Sequence, residues 1–223
     1  MKRIAVLASG AGSNLQAILE HLDALGPGAP GAISLVVSDR AQAQALERAR
    51  LRDIPTVHLP RSAPAGTLER TLAAHDTDLV VLAGYLRLVP ASVVRRWAGC
   101  MLNVHPALLP AFGGAGMFGH RVHEAVIASG ARLSGATVHF VDEQFDRGAI
   151  IAQWPVPVPS HDTPDALAAR VLAVEHRIYP WCVEAVARGT VRLGDDGRVH
   201  GELPYDFLRF GAEGEQHPFV IRG

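Results

Sequence analysis

Short, unbroken apolar runs separated by stretches of helical periodicity are the feature that most restricts what this chain can fold into. Lys2–Ala8, Ile33–Val37, Leu79–Ala83 and Cys100–Val104 leave no polar face along their length. That is the pattern of strands buried on both sides of a parallel sheet. Between the first two, Ser13–Leu25 sets Leu15, Ile18, Leu19 and Leu22 at helical spacing, and Ala41–Arg52 reads as a second helix. Thr56–Leu59 gives a short third strand, Thr67–His75 a short helix, and Pro90 suits the first turn of another. Strand and helix in alternation predict an α/β fold, a mainly parallel twisted sheet flanked by helices in the Rossmann-like manner.

The regularity stops after Val104. From His105 to Gly119 there is no period, and an irregular stretch of that length inside a compact domain is expected to be functional. Val122–Ser129 resumes as helix. Ala136–Val141 and Ala149–Pro157 read as a hairpin-like pair around the turn at Gln144–Gly148. Thr163–Ala187 reads as a long helix capped by Asp162 or Thr163, with Pro164 in its first turn. Residues 1–195 are expected to form one α/β domain, with 196–223 as a small strand and a C-terminal tail docked on it.

Lys and Arg total 21 against 22 Asp and Glu, so no net field draws in nucleic acid or an anionic membrane. A small anion would need a local site. The opening MKRIAVLASGAG has too short an apolar run to span a membrane and lacks a signal-peptide plan, so a cytoplasmic address is expected. Cys100 and Cys182 sit among apolar neighbours and are expected as reduced, packed thiols.

SGAGSNLQ, Ser9–Gln16, falls between the first strand and the first helix. Gly10 and Gly12 permit a tight turn, and the helix's unpaired N–H groups and dipole favour an anion there. The third glycine of a dinucleotide fingerprint would fall at Leu15, which argues against a dehydrogenase. Asp39, after the second strand, is read as a helix cap rather than a ribose contact.

Asn103 and His105 lie two apart at the end of the fifth strand, so they share a face where ligands of open α/β sheets gather. The turn VDEQFDRG supplies Asp142, Glu143 and Asp146 nearby. An ionised carboxylate beside His105 would raise its pKa, and the Asn103 amide could donate to the same developing oxyanion. No serine or cysteine accompanies them in a nucleophile motif, so direct attack by an external amine fits better than an acyl-enzyme. By spacing alone, Asn-x-His-Pro is also compatible with a hydrogen-bonded core histidine. His120, His123 and His139 are read as solvated or hydrogen-bonded rather than as a zinc site. Arg48, Arg50 and Arg52 are read as a solvated helix face. Tyr85 and Phe112 could stack on a ring or simply pack.

Taken together, SGAGSNLQ, VVLAGYLRLVP, LNVHPALLP, GATVHFVDEQFDRGAII and VEHRIYP, in that order, resemble the glycinamide ribonucleotide formyltransferases, folate-dependent enzymes of purine synthesis. The resemblance covers Lys2 to about Val191. It implies that Gly12, Ser13 and Asn14 hold the ribonucleotide phosphate, and that Leu172, Ala173, Val174 and Glu175 close over the ribonucleotide. It implies catalysis by Asn103 and His105, with Asp146 raising the His105 pKa. Leu86, Arg87, Leu88, Val89, Asn103 and Asp142, Glu143, Gln144, Phe145 and Asp146 would line the folate pocket. The implied co-substrate is 10-formyltetrahydrofolate, with no metal. Two departures stand out: Ala115 within AFGGAGMFGHRVHEA, where such a variant often carries Lys, and a short 61–70 segment in which no folate-contacting Arg can be assigned. A formyl-folate hydrolase, a formyltransferase for another amine and a non-catalytic nucleotide-binding module are the rival readings. SGAGSNLQ with VEHRIYP favours a small phosphorylated substrate over the first two.

Overall fold

The computed structural model describes residues 1–203. Lys2–Leu7 (β1), Gly31–Ser38 (β2), Thr56–His58 (β3), Leu79–Leu82 (β4), Met101–His105 (β5), Leu133–Phe140 (β6) and Ile150–Pro157 (β7) form one sheet. Its spatial order is β3-β2-β1-β4-β5-β6-β7. The first five strands run parallel, β6 runs against them, and β7, antiparallel to β6, returns to their direction. The chain leaves β1 in one direction to β2 and later returns on its other side to β4, so a crevice opens beyond the carboxyl ends of β1 and β4.

Side-chain alternation along β1 feeds two cores. Ile4 and Val6 pack with Leu15 and Ile18 of the helix Ser13–Leu25 (α1), with Leu46 of Gln44–Arg50 (α2), with Val126 of His120–Ser129 (α5) and with Leu167, Ile178 and Tyr179 of Pro164–Arg188 (α6). Ala5 and Leu7 face the opposite layer, where Leu72 of Thr67–Ala74 (α3) and Val93 of Ala91–Arg96 (α4) close the sheet. This two-sided cover is why the strands read as unbroken apolar runs. Thr163 is the cap of α6, its hydroxyl accepting from Ala166 N–H at 3.2 Å, while Asp162 binds Arg170 instead. No helix among the described residues is long and apolar enough to cross a membrane.

Three expectations need correction. The fifth strand starts and ends one residue later than read, at Met101–His105, so His105 is held in the ladder opposite Thr137 rather than beyond it. Cys182 is buried as expected, but Cys100 lies in the turn before β5 and is exposed. Asp39 caps no helix: α2 begins after Ala43 without a side-chain cap, and Asp39 accepts the Ser9 hydroxyl at 2.6 Å. After α6, Val191–Leu193 (β8) and Val199–Gly201 (β9) pair antiparallel, so the expected boundary at 195/196 falls in the turn joining them. Leu203 packs against the larger core, and the tail residues Tyr205 and Phe207 lie outside the described residues.

Candidate active site

The carboxyl end of β5 and the β6–β7 turn meet around one carboxylate. Asn103 Nδ2 donates to Asp146 Oδ1 at 3.4 Å, and His105 Nδ1 lies 3.5 Å from Asp146 Oδ2. Gly114 N–H, from the irregular loop, donates to Asp146 Oδ2 at 2.9 Å. Asp146 reaches in because its backbone takes a left-handed turn at φ 55°, a conformation that Asp tolerates better than most side chains. His105 is buried, and its Nε2 donates to the Phe112 carbonyl at 2.8 Å. His139, opposite Asn103 across the β5–β6 pair, completes the cluster with Nε2 3.1 Å from Asn103 Nδ2.

The electrostatics depart from expectation. Burial pushes the His105 pKa below its ordinary value, and the Asp146 charge and the Phe112 carbonyl recover only part of that loss. Asp146 does favour the imidazolium, but desolvation wins. Burial would by itself raise the Asp146 carboxyl, yet contacts with His139 and His105 and the Gly114 N–H hold it below the usual range, so it is ionised. One end of the Asn103 carboxamide lies 3.1 Å from His139 Nε2 and 3.4 Å from Asp146 Oδ1.

An open cleft lies over this cluster. Of the expected folate-pocket residues, Leu86, Arg87, Leu88, Val89, Asn103, Asp142, Gln144, Phe145 and Asp146 line it. Glu143 does not; its carboxylate turns outward to Arg95 at 2.9 Å. Tyr85 lines the cleft, whereas Phe112 packs against the core. No serine, threonine, cysteine or lysine is among the described lining residues. His120 stands apart on the surface between Glu124 and Asp165. Among the described residues no group of three or more His, Cys, Asp or Glu side chains is placed to hold a metal ion.

Gly12 precedes α1 at φ 72°, and a Cβ there would stand 2.7 Å from Ala45 Cα, so glycine is required twice over. Gln16 N–H is the first to find an intrahelical acceptor, Gly12 O at 3.0 Å, and no side chain caps the preceding turn. Ser13 is half-buried at the mouth of that turn. Asn14 points inward, donating to Glu175 Oε2 at 2.7 Å and leaving its own Oδ1 buried and unpartnered. This bond joins the Gly-rich loop to the 172–175 segment of α6, where Leu172 and Ala173 are exposed, Val174 half-buried and Glu175 buried. Burial pushes the Glu175 carboxyl up to about 7. One turn on, the Tyr179 hydroxyl is shared between the Leu82 and Leu102 carbonyls at 2.9 and 3.1 Å, pinning α6 beneath β4 and β5.

Sequence reasoning missed two participants. Arg48 was read as part of a solvated face, but its Nε donates to the Ala11 carbonyl at 2.8 Å and holds the Gly-rich loop. His139 was passed over among the histidines; the register of the antiparallel pair, which puts it opposite Asn103, was the signal that could have found it.

Residues 2–183 match the model of the formyl transferase family. The chain is 43% identical over 202 residues to a chloroplastic phosphoribosylglycinamide formyltransferase of Vigna unguiculata, covering 88% of this chain and 64% of that protein. It is 41% identical over 203 residues to the trifunctional purine biosynthetic protein adenosine-3 of Bos taurus, covering 88% of this chain and 19% of the relative. The chain thus spans less than two thirds of the length of either relative. The crystal structure of glycinamide ribonucleotide transformylase 1 from Symbiobacterium toebii superposes with a TM-score of 0.82 at 40% identity, covering 90% of this chain and 93% of that one. A mainly parallel sheet with its irregular loop, an Asn-x-His strand end facing an ionised aspartate and a match over most of its length leave one assignment: the chain belongs to the formyl transferase family.

Proposed function

We propose that the chain transfers a formyl group from 10-formyltetrahydrofolate to the amine of glycinamide ribonucleotide. The observation that carries this reading is the convergence of Asn103, His105 and ionised Asp146 at the floor of a cleft whose described lining holds no serine, threonine, cysteine or lysine to form an acyl intermediate. Formyl-folate fits the cleft walls Leu86–Val89, Asp142 and Gln144–Asp146, which present apolar surface with a few polar groups. The ribonucleotide phosphate fits the backbone N–H groups of Gly12, Ser13 and Asn14 at the uncapped start of α1, with Leu172–Glu175 alongside. Similarity to a phosphoribosylglycinamide formyltransferase and a glycinamide ribonucleotide transformylase supports the ribonucleotide as acceptor.

In this reaction the neutral amine attacks the formyl carbon, forming a C–N bond and a tetrahedral oxyanion. The Nε2–H of His105, which the Phe112 carbonyl accepts here, is the donor that oxygen would take over. Asp146 holds the other side of the ring and stabilises positive charge on it as the oxyanion develops. The amine proton leaves through water to Asp146, the bond from carbon to the folate nitrogen breaks, and that nitrogen is protonated. Neither a metal nor a redox step is part of this scheme.

Purified protein incubated with both substrates tests the proposal, following folate absorbance and the formylated ribonucleotide together. Product formation in equal amounts is expected. Formate release that ignores the amine would instead mark a hydrolase, and binding without turnover would reject the reaction.

A further inference from the structure

The Asn103 carboxamide can stand in either of two orientations, and its neighbours decide between them. One end of the amide lies 3.1 Å from His139 Nε2 and 3.4 Å from Asp146 Oδ1. Asp146 already accepts the Gly114 N–H through Oδ2, and its Oδ1 faces the Asn103 amide as a further acceptor. His139 Nδ1 lies 2.8 Å from the Phe140 carbonyl oxygen, which also only accepts, so Nδ1 carries a hydrogen. In a neutral ring Nε2 is then bare. It is within hydrogen-bond reach of Asn103 but 3.7 Å from Asp146. Both neighbours therefore call for the NH2 end, and a turned amide would set its oxygen against two acceptors while forfeiting both bonds. The other end, Oδ1, is left to the cleft that Asn103 lines.

We propose that His139 is a positioning residue: as its Nδ1–H tautomer it holds Asn103 with the carbonyl oxygen toward the cleft, where that oxygen accepts an N–H of the incoming amine. The assignment rests on the formyl-transfer reading and gives Asn103 a part in it different from oxyanion donor. An amine whose N–H is engaged by Oδ1 has its lone pair directed away from Asn103, free for the formyl carbon, and the negative oxygen is left to His105. The tautomer of one histidine, set by a backbone carbonyl, thus fixes which partner Asn103 can recognise.

Two measurements test this. In protein labelled with 15N-histidine at pH 8, the His139 ring, assigned by its loss in His139→Gln, should show the shifts of a neutral imidazole protonated at Nδ1. A hydrogen on Nε2, in either the neutral or the charged ring, would overturn the proposal even if the wild type transfers formyl groups normally. In kinetics, His139→Met removes the acceptor at similar bulk and should lower kcat on the order of 100-fold, as loose alignment does, with KM for the folate held. His139→Gln can present a carbonyl oxygen where Nε2 stood and should recover most of that loss. Equal losses in the two variants, with melting temperatures matched, would contradict the clamp. Absence of transfer by the wild type would instead reject the formyl-transfer reading, whatever the tautomer.

Discussion

Replacing Glu175 by Gln should stabilise the protein, and by an amount that grows with pH. The carboxyl is buried, and its one hydrogen-bond partner is the Asn14 amide, whose own carbonyl oxygen is buried without a partner. A neutral carboxyl can donate to that orphan oxygen and accept from the NH2 at once, whereas a carboxylate can only accept. Burial raises its pKa from 4.5 to about 7, with the bond from the Asn14 NH2 group working against the rise. For an acid raised by folding, the favourable contribution is fully present below the unfolded value and is lost as pH climbs through the folded one. The span between the two values corresponds to about 3 kcal/mol once Glu175 is ionised. Gln keeps the acceptor, adds a permanent donor for Asn14 Oδ1 and never ionises. The two proteins should therefore unfold alike in urea near pH 5. By pH 9 the variant should be more stable by up to about 3 kcal/mol, about 2–4 °C in Tm for each kcal/mol. A stability difference that stays flat from pH 5 to 9 would refute the reasoning, since it would mean that ionising Glu175 has no effect on folding.

Other outcomes follow from the same contacts. In the Glu175→Gln background, Tm should fall as pH drops below about 6.5, because burial lowers the pKa values of His105 and His123 and the unfolded chain then takes up the extra protons; a Tm unchanged between pH 7.5 and 5.5 would contradict this. Gly12→Ala meets both a left-handed backbone and Ala45, and should destabilise by about 1–3 kcal/mol in urea unfolding; a neutral effect would mean that the turn before α1 is not as described. Arg48→Met releases the Ala11 carbonyl and should raise KM for the ribonucleotide about 10-fold with kcat held, the scale of one hydrogen bond from a charged group. A loss confined to kcat would remove Arg48 from the phosphate loop.

The sheet was legible because strands covered on both faces must be continuously apolar, and the helices because Leu15, Ile18, Leu19 and Leu22 keep one face. Asn103 and His105 could be placed on one side of a strand end by period alone, while the turn VDEQFDRG offered three carboxylates, of which only the family resemblance picked out Asp146. What the sequence withheld were contacts made across distance and the balance of opposing energies. Asn14 reads as a phosphate donor until Glu175, 161 residues later, is seen to accept its amide. Arg48 reads as solvated because its partner, the Ala11 carbonyl, is backbone and carries no sequence signal. That Asp146 raises the His105 pKa was foreseeable; that burial outweighs it depends on how tightly the 106–119 loop closes over the ring, which no residue pattern reports.

The most direct test of the central claim, that ionised Asp146 acting on His105 drives direct transfer to an amine, is single-turnover formyl transfer by Asp146→Asn. Asn tolerates the left-handed backbone and can still accept from the Gly114 N–H, so the loop and cleft should persist. With the charge gone, transfer is expected to slow on the order of 100-fold or more while both substrates still bind. Transfer within a few-fold of the wild type would contradict the account.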